Sequence, residues 1–161
     1  MNEKGVLRET SKHDSNVIKE LVDKYWGGEP LIIRGKKYYP SSLDGILVLK
    51  GKKVIGFLIC DIQNKTCEII VFEVFEKHKG IGTSMLNNLI EIAKRKACDR
   101  LHLMTTNDNL DALRFYQRRG FHICGIHINS MEISRKMKPS IPETGDYGIP
   151  IRDEIDLELS I

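Results

Sequence analysis

The feature that most constrains the fold is a change of hydrophobic period in mid-chain. Three β-branched apolar runs, Ile46 to Lys50, Val54 to Ile62 and Thr66 to Phe75, follow one another across the short connectors Gly51-Lys52-Lys53 and Gln63-Asn64-Lys65. Runs of this kind, bounded by Gly, Asn and Lys, read as an antiparallel meander. Immediately after Gly80 and Gly82 the spacing changes: Ile81, Met85, Leu86, Leu89, Ile90 and Ala93 recur at three and four residues, describing an amphipathic helix to about Lys96. A strand therefore feeds a helix through a glycine turn.

The rest of the chain fits around that unit. Val17, Ile18, Leu21, Val22 and Tyr25 take helical spacing over Asn16 to Trp26, after Ser11, Asp14 and Ser15 and before Gly27-Gly28. Arg100 to Thr105 reads as a strand, Asn109 to Arg119 as a short helix closed by Gly120, and Phe121 to Ile128 as a further strand. The predicted order is α-β-β-β-α-β-α-β, an α/β (α+β) arrangement. Asn129 to Lys138 follows as a short helix and Pro139 to Pro150 as a loop. In the last segment Ile155, Leu157, Leu159 and Ile161 alternate with Asp156, Glu158 and Ser160, the pattern of a strand with one buried face. That strand either completes its own sheet or exchanges with a second copy, which makes a homodimer one expectation. At 161 residues the chain reads as a single domain, with a core to about residue 128 and an extension over 129–161.

Composition excludes several classes. The longest apolar runs fall far short of the roughly 20 residues of a membrane helix. Met1 to Thr10 mixes Glu3, Lys4, Arg8 and Glu9 without an apolar stretch, so a secretory leader is not expected and a cytoplasmic protein is. Cys60, Cys67, Cys98 and Cys124 stand singly with no C-x-x-C pair, and read as buried free thiols rather than disulfides or a zinc site. No metal is expected.

The formal charge of +3 conceals a gradient. Lys77 to Arg119 carries nine bases against four acids, whereas Pro139 onward carries six acids against one base. The basic excess points to an anionic partner, although bases scattered over solvated helix faces give the same count. At Lys77-His78-Lys79-Gly80-Ile81-Gly82-Thr83-Ser84 the glycines permit close backbone approach, and the amides opening the next helix favour a phosphate or pyrophosphate. The turn lacks both the G-x-G-x-x-G of dinucleotide folds and the G-x-x-x-x-G-K-[ST] of P-loops. A helix start that merely needs flexible residues has the same sequence.

A second segment, Asn109-Leu110-Asp111-Ala112-Leu113-Arg114-Phe115-Tyr116 followed by Gly120-Phe121, decides between these readings. The two together resemble the GCN5-related N-acetyltransferase (GNAT) superfamily, with its signatures [Q/R]-x-x-G-x-[G/A] and N-x-x-A-x-x-F-Y-x-x-x-G-F. The second is complete; the first has Lys77 where Gln or Arg is usual, keeping a cation but losing a planar fork. The chain also resembles a bacterial subgroup marked by Trp26-Gly27, Cys67-Glu68-Ile69, Thr105-Thr106-Asn107-Asp108-Asn109 and the terminal Gly148-Ile149-Pro150-Ile151-Arg152-Asp153-Glu154-Ile155.

The resemblance implies a GNAT fold, a mostly antiparallel mixed sheet flanked by helices, with acetyl-CoA as donor. Backbone amides over Lys77, His78, Lys79, Gly80, Ile81, Gly82 and Thr83 would hold the pyrophosphate, and the strand edge at Phe72 and Val74 the pantetheine amides. Asn109, Ala112 and Phe115 would complete the cofactor wall, Asn109 being equally a helix cap. Tyr116 would be the acid that protonates the departing thiolate; an aromatic packed beside Phe115 is the plainer account.

Acetyl transfer to an amine also needs a base. Glu68 and Glu73 lie five residues apart on one strand, so only one of them faces the cleft unless the strand carries a bulge. Glu68, near the strand start, is the first choice and Glu73 the second; each reads equally as an exposed strand carboxylate. His78 and His102 could shuttle protons or simply sit on the surface. The acceptor, a small-molecule or peptide amine, would bind near Tyr25, Trp26 and the loop Pro30 to Ser42. A CoA-binding module without turnover is the alternative function. Nucleic acid is not expected as a partner, because the aromatics among the bases, Phe115, Tyr116 and Phe121, already belong to the motif or the core.

Overall fold

A computed structural model describes residues 5–77 and 79–161. Nine strands and four α-helices follow one another along these residues: β1 Val6–Glu9, α1 Ser15–Tyr25, β2 Leu31–Ile33, β3 Lys36–Tyr38, β4 Asp44–Lys50, β5 Lys53–Gln63, β6 Thr66–Val74, α2 Ile81–Arg95, β7 Arg100–Thr106, α3 Leu110–Gln117, β8 His122–His127, α4 Met131–Met137 and β9 Glu154–Ser160. The main sheet runs β1-β4-β5-β6-β7-β9-β8, and β2 and β3 form a separate hairpin. Every pairing is antiparallel except that of β6 with β7.

The expected meander and glycine-linked helix are present as β4, β5, β6 and α2. Three strands go beyond the sequence reading: β1, and the hairpin β2–β3 in what was expected to be loop. Each is three or four residues long, too short to display a period, and β1 is mostly exposed. Tertiary pairing, not local pattern, makes them strands.

Each face of the sheet carries its own core. On one face α2 and α3 bury Met85, Leu89 and Tyr116 against Leu58, Cys67, Ile69, Leu101 and Leu103. On the other, Ile18 and Val22 of α1 and Leu31, Ile33 and Tyr38 of the hairpin cover Phe57, Ile59, Ile70 and Val71. Fully buried side chains such as Leu89 and Phe57 contribute about 1.5–3 kcal/mol each.

Two irregularities shape the site. Within β6, Ile69 stands opposite Cys60 and Val71 opposite Ile59, so Ile70 is an extra residue. The bulge slips the side-chain alternation by one. Cys67, Ile69, Phe72 and Val74 therefore face α2, while Ile70 and Val71 face α1. Glu68 and Glu73, which a regular strand would set on opposite faces, consequently share the α1 face. Next, β6 pairs with β7 only from Thr66↔Arg100 to Ile69↔Leu103. Beyond that point β6 continues along β5 and β7 along β9, so the two parallel strands part and the backbone edge of β6 past Ile69 lies open among the described residues.

The C-terminal strand β9 lies between β7 and β8, inside its own sheet, and β8 forms the edge. Residues 129–161 thus supply an interior strand, not an appendage. The four cysteines are free, but only Cys60, Cys67 and Cys98 are buried. Cys124 departs from the expectation because edge strand β8 leaves its side chain exposed. No helix among the described residues is long and apolar enough to cross a membrane.

Candidate active site

The parting of β6 and β7 opens a cleft of about 860 Å³, bounded by the start of α2, by α3 and by Trp26. Its floor contains Phe72, Glu73 and Val74 of β6. Gly80 enters α2 with φ +76°, a conformation that glycine adopts without penalty. At Gly82 the constraint is space: a Cβ there would lie 3.2 Å from the Phe115 ring. The first turn of α2 opens onto the cleft through Ile81, Gly82 and Thr83, where unpaired helix amides and the helix dipole favour an anion.

Bases gather at this end. Lys77, Arg114, Arg118 and Arg119 line the cleft. Arg119 lies 3.7 Å from the Phe115 ring centroid and donates to Thr83 Oγ1 from Nε at 3.1 Å and Nη2 at 2.8 Å, and to the Phe115 carbonyl at 2.9 Å. This clamp ties α3 to the start of α2. Asn109 accepts from the Ala112 amide at 3.2 Å, so it is the cap of α3 while also lining the cleft. Lys79 does not line the cleft and instead pairs with Glu76 at 3.1 Å; His78 lies outside the described residues.

Tyr116 packs edge-on against Phe115 and Phe121, both with centroids at 5.2 Å, and against Phe72 at 6.0 Å. It is 6% exposed, lines the cleft, and its hydroxyl makes no hydrogen bond among the described residues. Burial, aided by the charge of Glu73, pushes the phenol well above its ordinary value and keeps the proton on the oxygen.

The two carboxylates of β6 meet opposite conditions. Glu73 lines the cleft, and burial raises its pKa; Lys77 and the Trp26 indole pull the other way, and Asp146 adds to the rise. Glu68 does not line the cleft. Arg34 donates to it at 2.7 Å and Tyr38 at 3.3 Å, while His102 Nδ1 stands 3.8 Å away. Burial would raise Glu68, but His102 and Arg34 outweigh it and hold the carboxylate below its ordinary value. Arg34 also donates to Asp156 at 3.0 Å, and its backbone amide to the fully buried Glu154 at 3.0 Å. His102, expected as a shuttle or a surface residue, belongs to this ionic cluster.

Residues 17–121 match the profile of the acetyltransferase (GNAT) family. The chain belongs to this family. It is 38% identical over 148 residues, 91% of either chain, to the uncharacterized protein YdhI of Bacillus subtilis. Among solved structures it resembles an IAA acetyltransferase from Bacillus cereus, with a TM-score of 0.74 and 25% identity over 97% of this chain and 99% of that one. A GNAT-family acetyltransferase from Elizabethkingia anophelis, solved with acetyl-CoA bound, superposes with a TM-score of 0.70 at 23% identity over 99% of this chain and 100% of that one, a likeness of fold.

Both GNAT signatures fold onto one cleft, which is also lined by residues at positions that the second signature leaves open, Asp111, Arg114, Arg118 and Arg119, and by two acids outside both, Glu76 and Asp146. The local excess of positive charge signalled the arginines. Asp146 had no such signal, because it arrives from a loop 29 residues beyond the end of α3 at Gln117.

Proposed function

We propose that the protein transfers an acetyl group from acetyl-CoA to an amine by direct attack in a ternary complex. The observation that carries this reading is the open edge of β6 at the parting of β6 and β7, flanked by the glycine-led start of α2 and by Tyr116. The cleft suits the donor: Gly82 leaves room for Phe115, the first turn of α2 presents amides, and four bases surround it. Lys77 and Gly80 to Thr83 would hold the phosphates, and the backbone of Phe72 to Val74 the pantetheine amides. Bound acetyl-CoA supplies an activated acyl thioester.

The chain's own groups supply the proton transfers. Glu73, in the cleft and raised in pKa, takes the proton that an ammonium must lose before its nitrogen can attack. Tyr116 retains a proton in the apolar wall for the departing sulfur. The balance is an amide N–C bond formed, a thioester C–S bond broken, and the ammonium's extra protons delivered to Glu73 and, with Tyr116 as donor, to the thiolate. Glu73 is thus favoured over Glu68, which sits outside the cleft and is engaged by Arg34. The subgroup reading draws support from Asn107, whose side chain donates to the Pro150 carbonyl at 2.9 Å and accepts from the Arg152 and Asp153 amides at 2.9 and 3.0 Å, fastening the two marker segments together.

Thermal shift with acetyl-CoA and thiol release against a panel of amines test the proposal. Acetyl-CoA is expected to stabilise the protein, and Tyr116→Phe to lose roughly 10²–10³ in turnover while still binding the donor. Donor binding with no turnover on any amine would support the non-catalytic module instead.

A further inference from the structure

Among the bases of the cleft, Arg119 is held from three directions. It follows α3 by two residues. Its guanidinium lies over the Phe115 ring, 3.7 Å from the centroid, and Nη1 donates to the Phe115 carbonyl at 2.9 Å. Nε and Nη2 converge on Thr83 Oγ1, at 3.1 and 2.8 Å. Phe115 is itself set against Gly82, where a Cβ would lie 3.2 Å from the ring. The side chain is therefore a bridge from α3 to the first turn of α2, where Thr83 is the third residue.

The chemistry of that bridge fixes one hydrogen. A guanidinium can only donate, whereas a hydroxyl offers two acceptor lone pairs and a single hydrogen. With two N–H groups aimed at Oγ1, the threonine oxygen is the acceptor in both contacts, and its own hydrogen must point away from Arg119. That hydrogen has no acceptor among the described residues, and Thr83 lines the cleft. Accepting from a cation also polarises the O–H and makes it a stronger donor. Lys77 brings charge to this end of the cleft without a planar fork; Arg119 has the fork and directs it at Thr83.

We infer that Arg119 is a positioning residue of the donor site: by occupying the acceptor side of Thr83 Oγ1, it holds the Thr83 hydrogen toward a phosphate oxygen of acetyl-CoA. This rests on the acetyltransfer reading and deepens it, because Arg119 acts through Thr83 and not by touching the donor itself. Two parts of acetyl-CoA offer such an oxygen, the pyrophosphate and the phosphate on the ribose.

Calorimetric titration of the full chain with acetyl-CoA tests the inference on Arg119→Lys, Thr83→Val and the double variant. Arg119→Lys keeps the charge and removes the fork; Thr83→Val keeps the shape and removes the hydroxyl. Each single variant is expected to bind roughly tenfold more weakly, the scale of one hydrogen bond to a charged group, and the double variant no more weakly than Thr83→Val. Thr83→Ser, which retains the hydroxyl, should bind as the wild type does. S-acetylpantetheine, which has no phosphate, should bind every variant as it binds the wild type when followed by ligand-observed NMR. With acetyl-dephospho-CoA the coupling persists if the pyrophosphate is the partner and disappears if the ribose phosphate is, either result upholding the inference and naming the phosphate. Losses that add in the double variant, an Arg119→Lys variant that binds as the wild type does, or equal losses with S-acetylpantetheine overturn the inference and leave the acetyltransfer reading standing. Absence of acetyl-CoA binding by the wild-type chain overturns that reading, and the inference with it.

Discussion

The two ends of β6 hold the same residue type on the same face and treat it in opposite ways. At Glu68 the strand still pairs with β7, and the carboxylate lies within reach of His102, Arg34 and Tyr38. At Glu73 the partner strand has departed, and the carboxylate faces a cleft with burial and Asp146 working against its charge. An ion pair fixes a charge and makes it a poor proton acceptor; a half-buried carboxylate short of partners is poised to accept one. Strand pairing, not residue identity, separates the ion-paired glutamate from the one left at the cleft.

The comparison breaks most visibly at Glu73. Glu73→Gln is expected to lower kcat by roughly 10²–10⁴-fold, the usual contribution of a general base, without loss of melting temperature, since a neutral side chain is cheaper to bury. Because its pKa is raised, wild-type kcat/KM should climb with pH through a value above the ordinary 4.5, and this limb should vanish in the variant. A variant that keeps its pH profile would return the role of base to Glu68 or to water.

Glu68→Gln is expected to act on stability. It leaves Arg34 with one carboxylate fewer in a partly buried cluster, a loss of about 2 kcal/mol or roughly 4–8 °C in Tm, with kcat changed less than threefold. The sign of its pH dependence is opposite to that of Glu73. Its folded pKa lies below 4.5, so its stabilisation is present above that value and lost as pH falls through the lowered one, and urea titrations should show a shallower acid limb in the variant. Glu73, raised in the folded state, instead costs stability as pH climbs past 4.5.

Smaller effects test the donor end. Gly82→Ala must displace the Phe115 ring, which a Cβ would approach to 3.2 Å; about 1 kcal/mol of stability and a weaker acetyl-CoA affinity should be lost together, measurable by melting and calorimetric titration. Arg118→Ala should weaken CoA only about threefold, and the gap between variant and wild type should narrow as salt is raised.

Legibility followed the length of the signal. The meander, α2 and β9 were readable because each repeats a period over several residues, and the donor wall because its motif residues are contiguous. Strands β1, β2 and β3 carry too few residues to show a period. That Glu68 and Glu73 share a face depended on one extra residue at Ile70, whose unpaired position exists only against β5, and which of them is left at the cleft depended on where β7 departs. The exposure of Cys124 depended on β8 being an edge, which the sequence order places next to α3 and the sheet places last.

By itself the sequence determined the class of element at each long segment, the glycine-led helix start, the family signatures and the basic character of the donor segment, all of which are local properties of side chains and backbone. Tertiary structure alone decided where β6 and β7 part, which carboxylate is paired, and that the loop carrying Asp146 and Tyr147 crosses to Asp108 and Asp111 and joins Glu73 in lining the cleft. Those are relations between residues far apart in the chain, fixed by pairing register and by charges that acquire their meaning only once they are brought within a few ångströms of one another.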